Sequence, residues 1–248
     1  MAPSDDAAGS GPDPSLPPLF SGAPAAEPFA RAVAEARAGT DPGLITYRLR
    51  PDRLSAAIVL APECPLEEAM AMVLAAANGF ADAFGALAPS EVAAQFDWPG
   101  GFRVNGARCG GLRAAASTAD PTAEPDWLVI GIDIPVFASG DREPGETPSE
   151  TTLWDEGCSE VEPLRLLESW SRHMLVWIHT WLDGGMSRLH ESWTGRAFGR
   201  DEEITVDLPG RTETGTFIGL DAAGGLLLKS EGATRLLPLS LMLERTPC

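Results

Sequence analysis

The stretch DWPGGFRVNGARCGGLR, residues 97–113, restricts the fold of this chain more than any other. Asn105-Gly106 lies between two short runs, and Asn-Gly is the strongest local signal for a type I′ turn, because both central residues need positive φ. The segment is therefore read as a hairpin. Its arms carry Gly100, Gly101, Gly110 and Gly111. Glycine weakens a strand, so each marks a bulge or a close approach to the backbone. Facing one another across one turn, the four favour a ligand floor, with Trp98 and Pro99 as part of its wall.

Around this hairpin the pattern is strand-rich with interleaved helices. Residues 1–24 are mostly Pro, Ala, Gly and Asp and read as a flexible arm. An Ala-rich helical pattern follows over 27–37. The runs LITYRL (44–49) and SAAIVLAP (55–62) read as strands, and Pro65 opens a long apolar helix. EVAAQF and DWLVIGIDIPVF (126–137) read as further strands, and 138–151 as an acidic loop. Leu164, Leu167, Trp170, Met174, Trp177, Ile178 and Trp181 recur at helical spacing, which reads as a core-facing stripe. From Glu203 the period changes to two, and about 45 residues of short strands suit a small SH3-like barrel. The absence of a regular βαβ series favours α+β over a doubly wound sheet. The expected units are the arm, a domain over 25–200 and the barrel over 201–248.

Charge narrows the partners. With 18 basic against 36 acidic residues the net charge is −18, which disfavours nucleic acid and anionic membrane. No apolar run is read as reaching the roughly 18 residues that span a bilayer, and the N-terminus lacks a signal-peptide pattern. Cys64, Cys109, Cys158 and Cys248 are irregularly spaced, so free thiols and a cytoplasmic location are expected. Lys229 is the only lysine, which excludes lysine chemistry from the first 228 residues. His173 and His179 lie six apart on one helix, the wrong offset for a shared metal, so no metal site is expected. Arg48 and Arg50 share one strand face and together can hold a carboxylate or phosphate. An edge charged against aggregation explains them as well.

The order of these pieces resembles the biotin/lipoate–protein ligase family over roughly residues 27–248. Asp97-Trp98-Pro99-Gly100-Gly101, Asn105-Gly106 and Arg108-Cys109-Gly110-Gly111-Leu112 follow its signature hairpin, Lys-Trp-Pro-Asn-Asp, Asn-Gly, Lys-Leu-Ala-Gly-Ile. VIGIDIPV (129–136), with Gly131, is similar to its Val-Ile-Gly-Ile-Gly-Ile-Asn-Val strand. TTLWDEG and GTFIGLDAAGGLLLK are similar to later segments. The resemblance implies a class II ligase-like α+β mixed sheet with a small C-terminal barrel. It also implies a pocket for an acyl ligand and its adenylate on the hairpin, with ATP, Mg²⁺ and biotin or lipoate as ligands and a biotinyl or lipoyl carrier domain as acceptor.

The departures fall at the chemistry. Asp97 stands where the family has a lysine, Gly100 and Gly101 replace Asn and Asp, and Asp133 and Pro135 replace Gly and Asn. RLRPDRL replaces a longer glycine- and arginine-rich loop. Adenylation builds negative charge on phosphate and needs a placed cation. The expectation is a pseudoenzyme that binds a small acyl or carboxylate ligand through Arg48, Arg50 and Arg108. Two alternatives are an active ligase or acyltransferase that takes its cation from Arg108 or from the shortened arginine loop, and a non-catalytic module that docks carrier domains. On this reading Asp97 is the obstacle to phosphate, and Asp97→Lys should improve nucleotide affinity.

Overall fold

Alternating side chains build a sheet with two different faces. The computed structural model describes residues 12–138, 149–208 and 210–244. Residues 1–11 of the expected arm and most of the acidic loop at 138–151 lie outside them. In chain order come β1 (Ser21–Pro24), α1 (Pro28–Arg37), β2 (Leu44–Arg50), β3 (Arg53–Leu60), α2 (Leu66–Ala69) and α3 (Ala71–Leu87). β4 (Ala94–Asp97), β5 (Gly101–Val104), β6 (Ala107–Ala116), β7 (Leu128–Pro135), α4 (Pro163–Gly184) and α5 (Ser187–Thr194) complete the larger unit. The sheet order is β1-β2-β3-β7-β6-β5-β4. β1 pairs parallel with β2 and the others pair antiparallel, so the sheet is mixed and the class is α+β. Residues 21–24, assigned from composition to the arm, form this edge strand.

One face of the sheet carries Ala56, Ile58, Ala114, Ile130 and Ile132 into a large core with α3 and α4. The other carries Ala57, Val59, Ala115 and Val129 against Ala32, Val33 and Ala36 of α1. The segment 66–87 is long and apolar enough to cross a membrane, contrary to the sequence reading, but most of it is buried inside the fold. A helix apolar all round is a core helix when neighbours cover every side. Here α4 crosses it where Gly79 leaves no room for a Cβ beside the Met174 backbone. Trp170 Nε1 donates to Ala76 O at 3.1 Å, and Trp177 Nε1 to Asp82 Oδ2 at 2.8 Å. Trp170 and Met174 are buried, whereas Trp177 and Trp181 are half-buried as α4 runs out of the core.

β8 (Glu203–Leu208), β9 (Arg211–Leu220), β10 (Leu226–Ser230) and β11 (Ala233–Leu237) form a second, antiparallel sheet in the order β11-β10-β9-β8. It packs on α5 and the hairpin. Trp193 meets Phe217 with ring centroids 6.5 Å apart, and Trp98 Nε1 donates to Gly224 O at 3.1 Å.

Candidate functional site

Two-residue periodicity produces a cleft where α1 stops covering its face of the sheet. Registers align Thr46, Ala57, Gly131 and Arg113 in one row across β2, β3, β7 and β6. The next row is Arg48, Ser55, Asp133 and Gly111, and the one beyond joins Arg50, Arg53 and Pro135. Ala57 and its even-spaced neighbours pack under α1, so the same parity delivers the polar residues beyond it to one open cleft of 370 Å³. Phe29, from the first turn of α1, lies over Gly131, where a Cβ would come within 2.5 Å of the ring.

Most charges in this cleft are matched. Arg50 Nε donates to Asp52 Oδ1 at 2.9 Å, Arg53 pairs with Asp133, and Ser55 Oγ donates to Asp133 Oδ2 at 2.6 Å. Arg113 lies 4.3 Å over the Phe29 ring and grips Glu244 through Nε and Nη2. The Glu244 hydrogen bonds hold the Arg113 guanidinium above its ordinary range. Arg48 Nη1 donates to Ala26 O at 3.1 Å, and Arg48 has no acidic partner among the described residues.

The hairpin lines a different cavity, of 550 Å³, between β5–β6 and β8. The turn falls at Asn105-Gly106, both with positive φ, and the Trp98-Pro99 peptide is cis. Asn105 Nδ2 donates to Glu156 Oε2 at 2.8 Å. Asp97 Oδ1 accepts from Arg103 Nε at 2.7 Å, and Arg108 Nε stands 3.4 Å from Oδ2. Arg103 also donates to Gly106 O and lies 4.0 Å over the Phe198 ring. Glu203 and Asp207 of β8 are part of the opposite wall, so the lining holds three acidic and two basic residues.

The predicted residues thus divide between two places. Arg48, Arg50 and Gly131 line the arginine cleft; Asp97, Trp98, Gly101, Arg108 and Gly110 line the hairpin cavity. The hairpin glycines meet the protein's own atoms. A Cβ on Gly111 would lie 2.7 Å from Gly100 O, and Gly100 O itself accepts from Leu112 N at 2.7 Å. A Cβ on Gly100 would reach Met242, and one on Gly101 would reach Asp97. Glu27, Phe29, Arg113 and Glu244 were not singled out by sequence. The strand alternation of β6 could have indicated Arg113; nothing local indicated Glu244.

A family profile described as the biotin/lipoate A/B protein ligase family matches residues 16–195. The chain belongs to this family. It is 24% identical over 182 residues to the biotin–[acetyl-CoA-carboxylase] ligase of Paracoccus denitrificans, covering 73% of this chain and 75% of that relative. A biotin protein ligase-like protein of unknown function from Silicibacter sp. TM1040 has a crystal structure with TM-score 0.87 and 49% identity, covering 94% of this chain and 100% of that one. The biotin protein ligase of Aquifex aeolicus shares the fold, at TM-score 0.70 and 16% identity over 88% and 95% of the two chains. That ligase has also been solved with biotin and ATP, at TM-score 0.67 and 15% identity over 88% and 95%.

Of the positions that depart from the expected motif, Asp97 lines the hairpin cavity and Asp133 lines the arginine cleft. Among the described residues no thiol lines either cavity. Burial is the main influence pushing the Cys109 thiol up to about 12, helped by Cys158 and by Glu156 and Asp155. Thiolate is the reactive form. Among the described cysteines, iodoacetamide at pH 8 is therefore expected to modify Cys64 first, and to reach buried Cys109 and Cys158 after denaturation. Peptide mass mapping checks this, and early labelling of Cys109 would contradict its placement.

Proposed function

We propose that this family member binds a small organic acid in the arginine cleft without adenylating it. The supporting observation is the charge match in both cavities. In the cleft, Arg50, Arg53 and Arg113 each face a carboxylate, and Glu27 adds another to the lining. In the hairpin cavity, Asp97, Glu203 and Asp207 outnumber Arg103 and Arg108. ATP and its transition state need an excess of placed positive charge. Gly100 and Gly101 offer no side-chain ligands for Mg²⁺, and Asp97 is engaged by arginine. These residues do not fit a metal–nucleotide complex.

A monocarboxylate such as biotin, lipoate or octanoate needs one guanidinium, and Arg48 supplies it. In this reading residues 25–200 form the ligand-binding domain. Residues 201–248 close as an SH3-like barrel, a biotinyl or lipoyl carrier domain is the macromolecular partner, and the protein works in the cytoplasm. Calorimetric titration of the three acids tests it. Arg48→Gln is expected to weaken binding of the accepted acid roughly tenfold, the loss of one charge-assisted contact. Failure of all three acids to bind the wild type would sink the reading.

A second reading, an active ligase with Arg108 as the cation, draws on the position of that guanidinium. It is half-exposed at the cavity wall, and the Asp97 Oδ2 beside it lacks a hydrogen bond. ATP–pyrophosphate exchange separates the two. Background exchange with every acid is expected, and robust exchange would establish the second reading.

A further inference from the structure

The C-terminal segment returns from the small sheet to the wall of the arginine cleft. β5 pairs with β6 as far as Gly111, which leaves the next part of that edge open. After the 3-10 turn Leu239–Met242, Leu243 bridges Ala114 in parallel, and Glu244 N donates to Ala114 O at 2.9 Å. The backbone anchor delivers the Glu244 carboxylate to Arg113. Its two oxygens accept from Nε at 2.5 Å and Nη2 at 2.8 Å. This forked edge is the one a phosphate or carboxylate ligand takes from arginine. Phe29 covers the guanidinium plane at 4.3 Å, so Arg113 has little freedom to offer another edge. Both partners are partly exposed, at 52% and 41%, and such a pair adds little to folding. Its larger consequence is local charge.

We infer that Glu244 determines the charge selectivity of the arginine cleft. By holding Arg113 in a bidentate pair it withholds the second guanidinium a dianion needs, and Arg48 is left for a single carboxylate. Asp133 and Glu27 face the same region and strengthen the bias, while Arg50 and Arg53 are occupied by Asp52 and Asp133. This rests on the acid-binding reading of the cleft and assigns the residue that excludes phosphates from it.

The test is calorimetry of the full chain with inorganic phosphate at pH 8 and with octanoate. Glu244→Gln keeps the side-chain length and removes the charge. It is expected to raise phosphate affinity roughly tenfold and to change octanoate affinity less than about twofold. The phosphate gain should vanish in the double variant Arg113→Gln/Glu244→Gln, and Glu244→Asp should behave as wild type. Should Glu244→Gln fail to fold, Glu244→Ala carries the same comparison. Unchanged phosphate affinity in the folded variant, or a gain that survives loss of Arg113, overturns the inference. Failure of octanoate to bind wild type would count against the acid-binding reading, while the phosphate comparison still decides the role of Glu244.

Discussion

Asp97→Lys is expected to lower the melting temperature markedly and to leave pyrophosphate exchange at background. From the sequence this substitution restores the family's cation and should improve nucleotide affinity. The structure gives a physical reason to expect the opposite, because Asp97 already lies between Arg103 and Arg108. Side-chain exposure is 20% for Asp97 and 16% for Arg103, so their pair is largely shielded from water. A lysine there would be a third cation facing two guanidiniums. Removing one partner of a buried pair costs about 3–5 kcal/mol, and partial exposure places this case near 3 kcal/mol. In a chain of this size that is a fall of roughly 6–12 °C. Scanning calorimetry of wild type, Asp97→Asn and Asp97→Lys measures it, with Asp97→Asn intermediate. A stable Asp97→Lys protein that binds ATP more tightly would show that Asp97 was the obstacle after all.

The second large effect is expected at Gly110. Its φ is +81°, and a Cβ there would lie 2.1 Å from the Asp133 carbonyl oxygen. Backbone opposes backbone, so no rotamer change relieves the contact. Left-handed φ costs an alanine roughly 1–2 kcal/mol, and forced overpacking adds about 1–3 kcal/mol. Gly110→Ala should therefore destabilise by roughly 3 kcal/mol and disturb the floor of the arginine cleft at Asp133. Gly106 is the control, with φ +90° and no atom within 4 Å of where an added methyl would sit. Gly106→Ala should cost only the backbone strain, about 1–2 kcal/mol. Urea denaturation of both variants makes the comparison. Equal losses would show that the approach to Asp133 is unimportant.

The parts that were legible from sequence are those governed by local rules. Asn105-Gly106 set the turn because few other residue pairs accept its dihedral angles. The change of period at Glu203 announced the second sheet, and Arg48 and Arg50 were placed on one face by alternation alone. Alternation gives parity within a strand but not register between strands. Arg108 was grouped with Arg48 and Arg50 by chemistry, yet the kink at Gly110 sets it at the hairpin cavity, and Arg113 takes the place beside the cleft.

Composition alone determined the acidic balance and the near-absence of lysine, and the order of apolar patterns determined the α+β alternation of elements. Tertiary structure decided what the substituted residues meet. Asp97 reads as a reversed charge in isolation, but its field is set by Arg103 and Arg108 folded against it. The hairpin glycines read as space for a ligand; a Cβ on Gly100, Gly110 or Gly111 would meet backbone or Met242, while Gly101 and Gly110 also line the hairpin cavity. Glu244 lies 131 residues from Arg113 in sequence. Charge interactions fall with distance through space, which the order of residues along a chain does not give.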